Sequence, residues 1–308
     1  MRDDFIRALG ELAAFDPRIV LITGDLGFGV LTEFANHRPA QFINAGVAEQ
    51  NMTMLACGMA MEGARAYTYS IANFTTLRCL EQLRNDVCYH NADVTAVSVG
   101  GGFSYGQLGM SHFATEDLAI LRALPNMTVV VPSDPWSAYE LTKQLHARGG
   151  PAYLRIDKDK AGLLDASGEI VLGRIRAVRD GSSVAIFACG GILGEALKAA
   201  DALAASGIEA MVLDVHTLKP LDTDTILTAA NRCGVVVTVE EHSILGGLGG
   251  AVAETCLEGG ARVRAFRRVG LKDAYPTVVG DQRYLRSVYG LDAAAIEAAV
   301  RSALETAR

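Results

Sequence analysis

Phe42-Ile43-Asn44-Ala45-Gly46-Val47-Ala48-Glu49-Gln50-Asn51-Met52 is the stretch on which the reading of the chain turns. Its first residues have the composition of a short buried strand, and Gly46 marks a turn. The remainder opens a helix that the pattern carries to about residue 62. Met52, Leu55, Ala56 and Met59 recur at helical spacing and give that helix one apolar face. Glu49 falls in the opening turn, where the positive end of the helix dipole favours a carboxylate. That local reading is sufficient for the stretch by itself. The second reading is a glutamate held at the end of a buried strand, facing a nitrogen heterocycle, and the rest of the chain favours it.

Outward from this stretch, apolar runs of strand length alternate with helical patterns. On the N-terminal side, residues 3–14 form an amphipathic helix closed by Asp16-Pro17. Residues 19–23 form a continuous apolar strand ending at Gly24-Asp25, and a helix-like stretch follows to about residue 36. On the C-terminal side come a strand near 66–69, a long helix over about 73–90 and a strand at 94–99. Gly100-Gly101-Gly102 then begins a loop that runs to residue 112. A helix near 115–124, a strand at 127–131, a helix over 135–146 and a strand at 153–156 complete this half. Such alternation predicts an α/β fold with a parallel sheet covered on both faces. Residues 157–168 are polar and irregular, which places a linker at 161–172 between a first domain of 1–160 and a second of 173–308. Strands at 184–189, 210–215, 235–240 and 263–269, with four helices between and after them, predict a smaller α/β domain of three or four strands.

Composition agrees with two packed domains in 308 residues, half of them hydrophobic. A net charge of −7, with no basic cluster, argues against nucleic acid or an anionic membrane surface as the partner. None of the six cysteines forms a CxxC pair or a zinc-like spacing with histidine, so no metal site is expected from them. Buried free thiols in a reducing compartment are expected instead. The acidic start Met1-Arg2-Asp3-Asp4 lacks the apolar core of a signal peptide, and no apolar run is long enough to span a bilayer. The cytoplasm is the expected location.

The residues then become more specific. Gly46-Val47-Ala48-Glu49-Gln50-Asn51-Met52 resembles the GxAEQNM segment of the transketolase family of thiamine-diphosphate enzymes. The resemblance continues through Tyr69-Ser70-Ile71-Ala72-Asn73-Phe74-Thr75-Thr76-Leu77-Arg78, Gly109-Met110-Ser111-His112 and Val131-Pro132-Ser133-Asp134. In the second half it includes Thr217-Leu218-Lys219-Pro220-Leu221-Asp222 and Glu240-Glu241-His242 with the glycines after them. It implies a pyrimidine-binding domain followed by a transketolase C-terminal-type domain. Full-length members carry a further domain that binds the diphosphate and Mg²⁺ through a GDG…N motif, and this sequence has no GDG. The resemblance therefore implies the C-terminal subunit of a two-component enzyme. A second polypeptide would hold the diphosphate and Mg²⁺, in a heterotetramer of two plus two subunits.

The resemblance also implies roles for individual residues. Glu49 would accept a hydrogen bond from the cofactor's aminopyrimidine and so drive its change of tautomer. Phe74 would pack on the pyrimidine face, a second aromatic usual in the family being replaced by Ile71. Arg78 would reach cofactor or substrate oxyanions, or pair with Glu81 on the same helix. His112, with Ser111 beside it, would hydrogen-bond substrate oxygens. Leu108 stands where sugar transketolases commonly have an aspartate that recognises a sugar hydroxyl, and Gly100–Gly102 stand where a diphosphate-contacting histidine is usual. Asp25 matches an acid near the cofactor pocket, or caps the next helix. Arg155 falls where the family has a phosphate-contacting arginine, Glu116-Asp117 reads as a helix opening, and His242 as part of a domain contact.

The expected function is transfer of a two-carbon ketol unit from a ketose to an aldehyde, with sugars as substrates. The β subunit of a 2-oxo-acid dehydrogenase or acetoin-cleaving complex shares the two-domain plan and the glutamate. A non-catalytic partner subunit is the alternative from another class, and the joint presence of Glu49, Phe74 and His112 argues against it.

Overall fold

The computed structural model describes residues 1–158 and 168–308, so the first residues of the expected linker lie outside the described part. In the first half the strands are β1 (Ile19–Thr23), β2 (Phe42–Asn44), β3 (Arg65–Ile71), β4 (Val94–Val99), β5 (Thr128–Val130) and β6 (Ala152–Ile156). The second half contributes β7 (Arg176–Arg179), β8 (Val184–Cys189), β9 (Ala210–Asp214), β10 (Thr217–Lys219), β11 (Val235–Ser243) and β12 (Ala265–Leu271). They form a seven-stranded sheet in the order β10-β5-β6-β4-β3-β1-β2 and a five-stranded sheet in the order β12-β11-β8-β9-β7.

The central strands are the continuous apolar or β-branched runs, and β4 and β8 are buried along their whole length. Both faces of each sheet are covered by helices. Helix α1 (Arg2–Phe15) packs Phe5 and Leu9 into a cluster with Ile19, Leu21 and Leu141 on one side of the first sheet. A second cluster joins Ile186 and Val237 to Ile296 and Val300 of the last helix, Ala293–Thr306. The third crosses between the sheets, from Leu121, Val129 and Tyr153 to Phe187, Leu213 and Val236. All six cysteines are buried and free. No helix among the described residues is long and apolar enough to cross a membrane.

Several expectations are corrected. β2 is a half-exposed edge strand rather than a buried one, paired only to β1 in the sheet order. The long helix expected over 73–90 is broken at Thr76, whose backbone lies at φ −114°, ψ −84°. Its hydroxyl donates to Ala72 O at 2.6 Å, the local competition that makes threonine a poor helix-interior residue. A short helix (Ala72–Thr75), 3₁₀ and α turns, and a π-helical turn over Leu83–Cys88 replace the single helix. The second sheet has five strands, not three or four. β7 and β10 are short antiparallel edges, and β10 pairs with β5 of the first sheet although it belongs to the second half. A helix over Gln282–Val288 was also unforeseen.

The joint between the halves is polar as well as apolar. Arg155 pairs with Asp117 at 3.3 Å and donates to Glu241 O at 2.9 Å, while Tyr153 donates its hydroxyl to Asp117 at 2.5 Å. Asp117 opens the helix Asp117–Arg122, as the sequence suggests, and is also a fully buried partner of Arg155, while Arg155 is buried and committed rather than open to a phosphate. The side chain of Glu241 accepts from the Phe103 amide, Gln282 and Arg286. The glycines before Phe103 permit this approach. A Cβ at Gly101 would collide with Arg155 Nε, and one at Gly102 would lie 2.5 Å from Glu241 Cγ. His242 accepts from the Ala119 amide at 3.3 Å, in keeping with its place in a domain contact.

Candidate functional site

The parallel strands β1, β2, β3 and β4 all end on the same edge of the first sheet, and the residues singled out above gather there. In α/β sheets this carboxyl edge is where loops diverge and leave room for a ligand. Glu49 is the first residue of the helix Glu49–Met61 and is only 3% exposed. The end of β1 leans directly on it, for a Cβ at Gly24 would sit 3.2 Å from Glu49 Cγ. Of the apolar helix face expected behind it, Met52 and Ala56 are buried, whereas Leu55 is exposed.

The carboxylate is met by Arg78, whose Nη1 lies 2.8 Å from Glu49 Oε2. The same guanidinium stands 4.1 Å over the ring of Phe74. Arg78 thus pairs with Glu49 rather than with Glu81, the partner open to it in sequence. Phe74 in turn meets the His112 ring edge-on, with centroids 5.2 Å apart and planes at 66°. That contact is set by Asn73, whose side-chain amide donates to Phe113 O and so ties the 111–113 turn to the helix carrying Phe74. Ser111 Oγ lies 2.9 Å from His112 Nδ1 and fixes the ring from the solvent side. Burial, and after it the nearby charge of Arg78, hold the His112 pKa below the ordinary histidine value. Near neutral pH its ring is therefore an uncharged hydrogen-bonding group.

Glu49, Arg78, Phe74, His112 and Ser111 form one continuous set of contacts. Asp25 lies on the same edge at the end of β1, exposed, with a left-handed backbone (φ 56°), and accepts from Asn44 Nδ2 at 2.8 Å. The next helix begins at Thr32, so Asp25 does not cap it. Ile71 is the last residue of β3 and half-buried, and Leu108 is 54% exposed in the loop leading to His112. Asn73 and Gly24 were not singled out from sequence. Asn73 lies inside the stretch Tyr69–Arg78, but its role is a contact with a loop 40 residues on, which no local pattern reveals. Among the described residues no group of three or more histidine, cysteine, aspartate or glutamate side chains is placed to hold a metal ion.

The chemistry of the set is that of a shielded acceptor beside a flat apolar surface. A carboxylate out of water holds a ring N–H donor more strongly than an exposed one. The aromatic face excludes water from one side of a planar ligand. These residues fit the aminopyrimidine end of thiamine diphosphate.

Comparison with known proteins agrees along the whole chain. Residues 1–162 match the transketolase pyrimidine binding domain and residues 173–296 the transketolase C-terminal domain. The chain is 37% identical over 307 residues to the 6-deoxy-6-sulfo-D-fructose transketolase subunit SqwH of Clostridium sp. (strain MSTE9), covering 99% of this chain and 94% of that protein. It is 37% identical over 296 residues to an apulose-4-phosphate transketolase subunit of Phocaeicola vulgatus, covering 94% and 93%. Its fold superposes on a split gene transketolase, solved as an inactive beta4 tetramer, with a TM-score of 0.90 at 35% identity over 100% of this chain and 99% of that one. With both halves matched in order, and the glutamate joined through Arg78 to the aromatic ring and histidine at one sheet edge, this chain belongs to the transketolase family.

Proposed function

We propose that the chain is the pyrimidine-binding subunit of a two-component, thiamine-diphosphate-dependent transketolase that moves a two-carbon ketol unit from a ketose, or its phosphate, to an aldehyde. The observation that carries this reading is a carboxylate 3% exposed, linked through Arg78 to the Phe74 and His112 rings at the carboxyl edge of the sheet. When bound, thiamine diphosphate supplies the electron sink that lets a carbon–carbon bond next to a carbonyl break. Glu49 would accept a hydrogen bond from the pyrimidine and hold the proton at that ring nitrogen. Phe74, with Ile71 near it, would pack on the ring and keep water away. His112, fixed at Nδ1 by Ser111, would offer Nε2 to a substrate oxygen without adding a charge. Asp25 and Asn44 would border the pocket at the end of β1 and β2.

The diphosphate and Mg²⁺ are assigned to an N-terminal partner subunit, because the sequence has no GDG motif. Three exposed apolar side chains support a covering partner here. Val47, Leu77 and Leu108 are 75%, 41% and 54% exposed, and they lie within four residues of Glu49, Phe74 and His112 respectively. A complex of two plus two subunits would close two such sites. Leu108 in place of a hydroxyl-recognising aspartate, together with the committed Arg155, turns the proposal away from ordinary pentose phosphates and toward specialised sugars.

Calorimetric titration with thiamine diphosphate and Mg²⁺, of the chain alone and with its N-terminal partner, tests the reading. Tight binding is expected only with the partner, followed by ketol transfer when ketose donors are screened against aldehydes. Tight binding by the chain alone would overturn the two-component assignment, and decarboxylation of a 2-oxo acid without ketol transfer would overturn the reaction.

A further inference from the structure

Glu49 and Phe74 are the two side chains that the proposed function gives to the cofactor's ring, and one guanidinium already touches both. Arg78 Nη1 is 2.8 Å from Glu49 Oε2, and its guanidinium carbon is 4.1 Å from the centre of the Phe74 ring. A guanidinium is flat, donates hydrogen bonds in its own plane and stacks on aromatic faces. An aminopyrimidine presents the same three properties. The chain therefore holds a mimic of the ligand's ring in the ligand's own contacts.

The two partners differ in how firmly they are held. Glu49 is 3% exposed, and a carboxylate so placed is costly without a cation or donor. Arg78 is 44% exposed and follows the break at Thr76, in the 3₁₀ turn Leu77–Cys79. Its long stem reaches water by simple rotation, so the cost of its leaving falls on Glu49, and a heterocycle that donates to Glu49 offsets that cost.

We infer that Arg78 is an internal competitor for the pyrimidine site: it satisfies Glu49 and covers Phe74 until a heterocycle displaces it, and its displacement is part of cofactor binding. This rests on the proposed function. It has two consequences. The competing contact lowers apparent cofactor affinity by the fraction of molecules in which it is formed. It also keeps the buried carboxylate paired in a subunit that has not met its partner or cofactor, which protects the fold at that stage.

The test uses the assembled two-subunit complex, with thiamine diphosphate and Mg²⁺ as the probe, followed by calorimetry and by stopped-flow association. Arg78→Ala and Arg78→Gln should each bind the cofactor more tightly, by roughly tenfold in Kd, and associate faster. The same variants without cofactor should melt at lower temperature, because Glu49 loses its partner. Tighter binding is the distinguishing result, since damage to a merely structural residue loosens a site. Weaker or unchanged binding in both variants would overturn the competitor role while leaving the proposed function intact. If the wild-type complex itself fails to bind thiamine diphosphate, the proposed function falls, and the inference with it. The two variants guard against misfolding, because Gln keeps the stem and hydrogen-bonding tip of the side chain while removing its charge.

Discussion

The two sheets of this chain present the same kind of edge and use it in opposite ways. Each has parallel strands ending in a buried carboxylate, Glu49 beside the first and Glu240 in the second, at 3% and 0% exposure. Glu240 accepts from the Leu248 and Gly249 amides at 2.7 and 2.8 Å, the first turn of the helix Leu248–Glu258. Nearby, Asp214 Oδ2 accepts from Ser133 and Arg176, and Glu241 accepts from Phe103, Gln282 and Arg286. Each of these partners is a backbone amide or a side chain less exposed than Arg78. Glu49 is instead met by a half-exposed arginine on a turn. A buried acid becomes a candidate site when its partner can be replaced, and a joint when its partner cannot.

One substitution made in both places would break this comparison most sharply. Glu49→Gln is expected to lower turnover of the assembled enzyme by about 10²–10⁴-fold, the range for loss of a positioned proton-holding group. Its urea-unfolding midpoint should barely move. Glu240→Gln should do the reverse, destabilising the chain by about 1–3 kcal/mol because an acceptor for two buried amides is weakened. Turnover per folded molecule should be retained. If Glu240→Gln instead abolished turnover in a fully folded protein, the division between the edges would be wrong.

A smaller effect sharpens the comparison at the joint. Asp157 is buried near Glu241, and burial first, then the charge of Glu241, push its carboxyl up to about 6. A carboxyl whose pKa is raised on folding binds its proton more tightly in the native state. Its contribution is present in full below the unfolded value of 3.8 and is lost as pH rises through about 6. Asp157→Asn should therefore stabilise the chain by about 1–2 kcal/mol at pH 7.5 and leave it unchanged near pH 4. Unfolding curves at the two pH values measure this directly, and equal gains at both would remove Asp157 as the titrating group.

The central strands were legible in sequence because a strand buried on both faces must be a continuous apolar run, as in β1, β4 and β8. The edges were not. β7 and β10 are only four and three residues long and carry Arg176, Arg179 and Lys219, so neither alternation nor length marks them. Helical composition over 73–90 hid a break that depends on one threonine hydroxyl. At the candidate site, Glu49, Phe74 and His112 stood out by resemblance, since each belongs to a motif read along the chain. The pairing of Arg78 with Glu49 joins residues 29 apart, and only the fold brings them together.

The antiparallel pairing of β10 with β5 has a consequence for how the molecule is made. Thr217 pairs with Val130 and Lys219 with Val129, so one edge of the first sheet is contributed by chain synthesised some ninety residues after the strand it protects. On the ribosome, the first half must wait with that edge bare until β10, about a third of the way into the second half, has emerged. A gene cut at the linker would therefore yield a first fragment without its edge strand and a second carrying β10 without its partner, rather than two self-sufficient modules. Expression of residues 1–158 without the rest should give an aggregation-prone product, rescued by supplying the second half in the same cell.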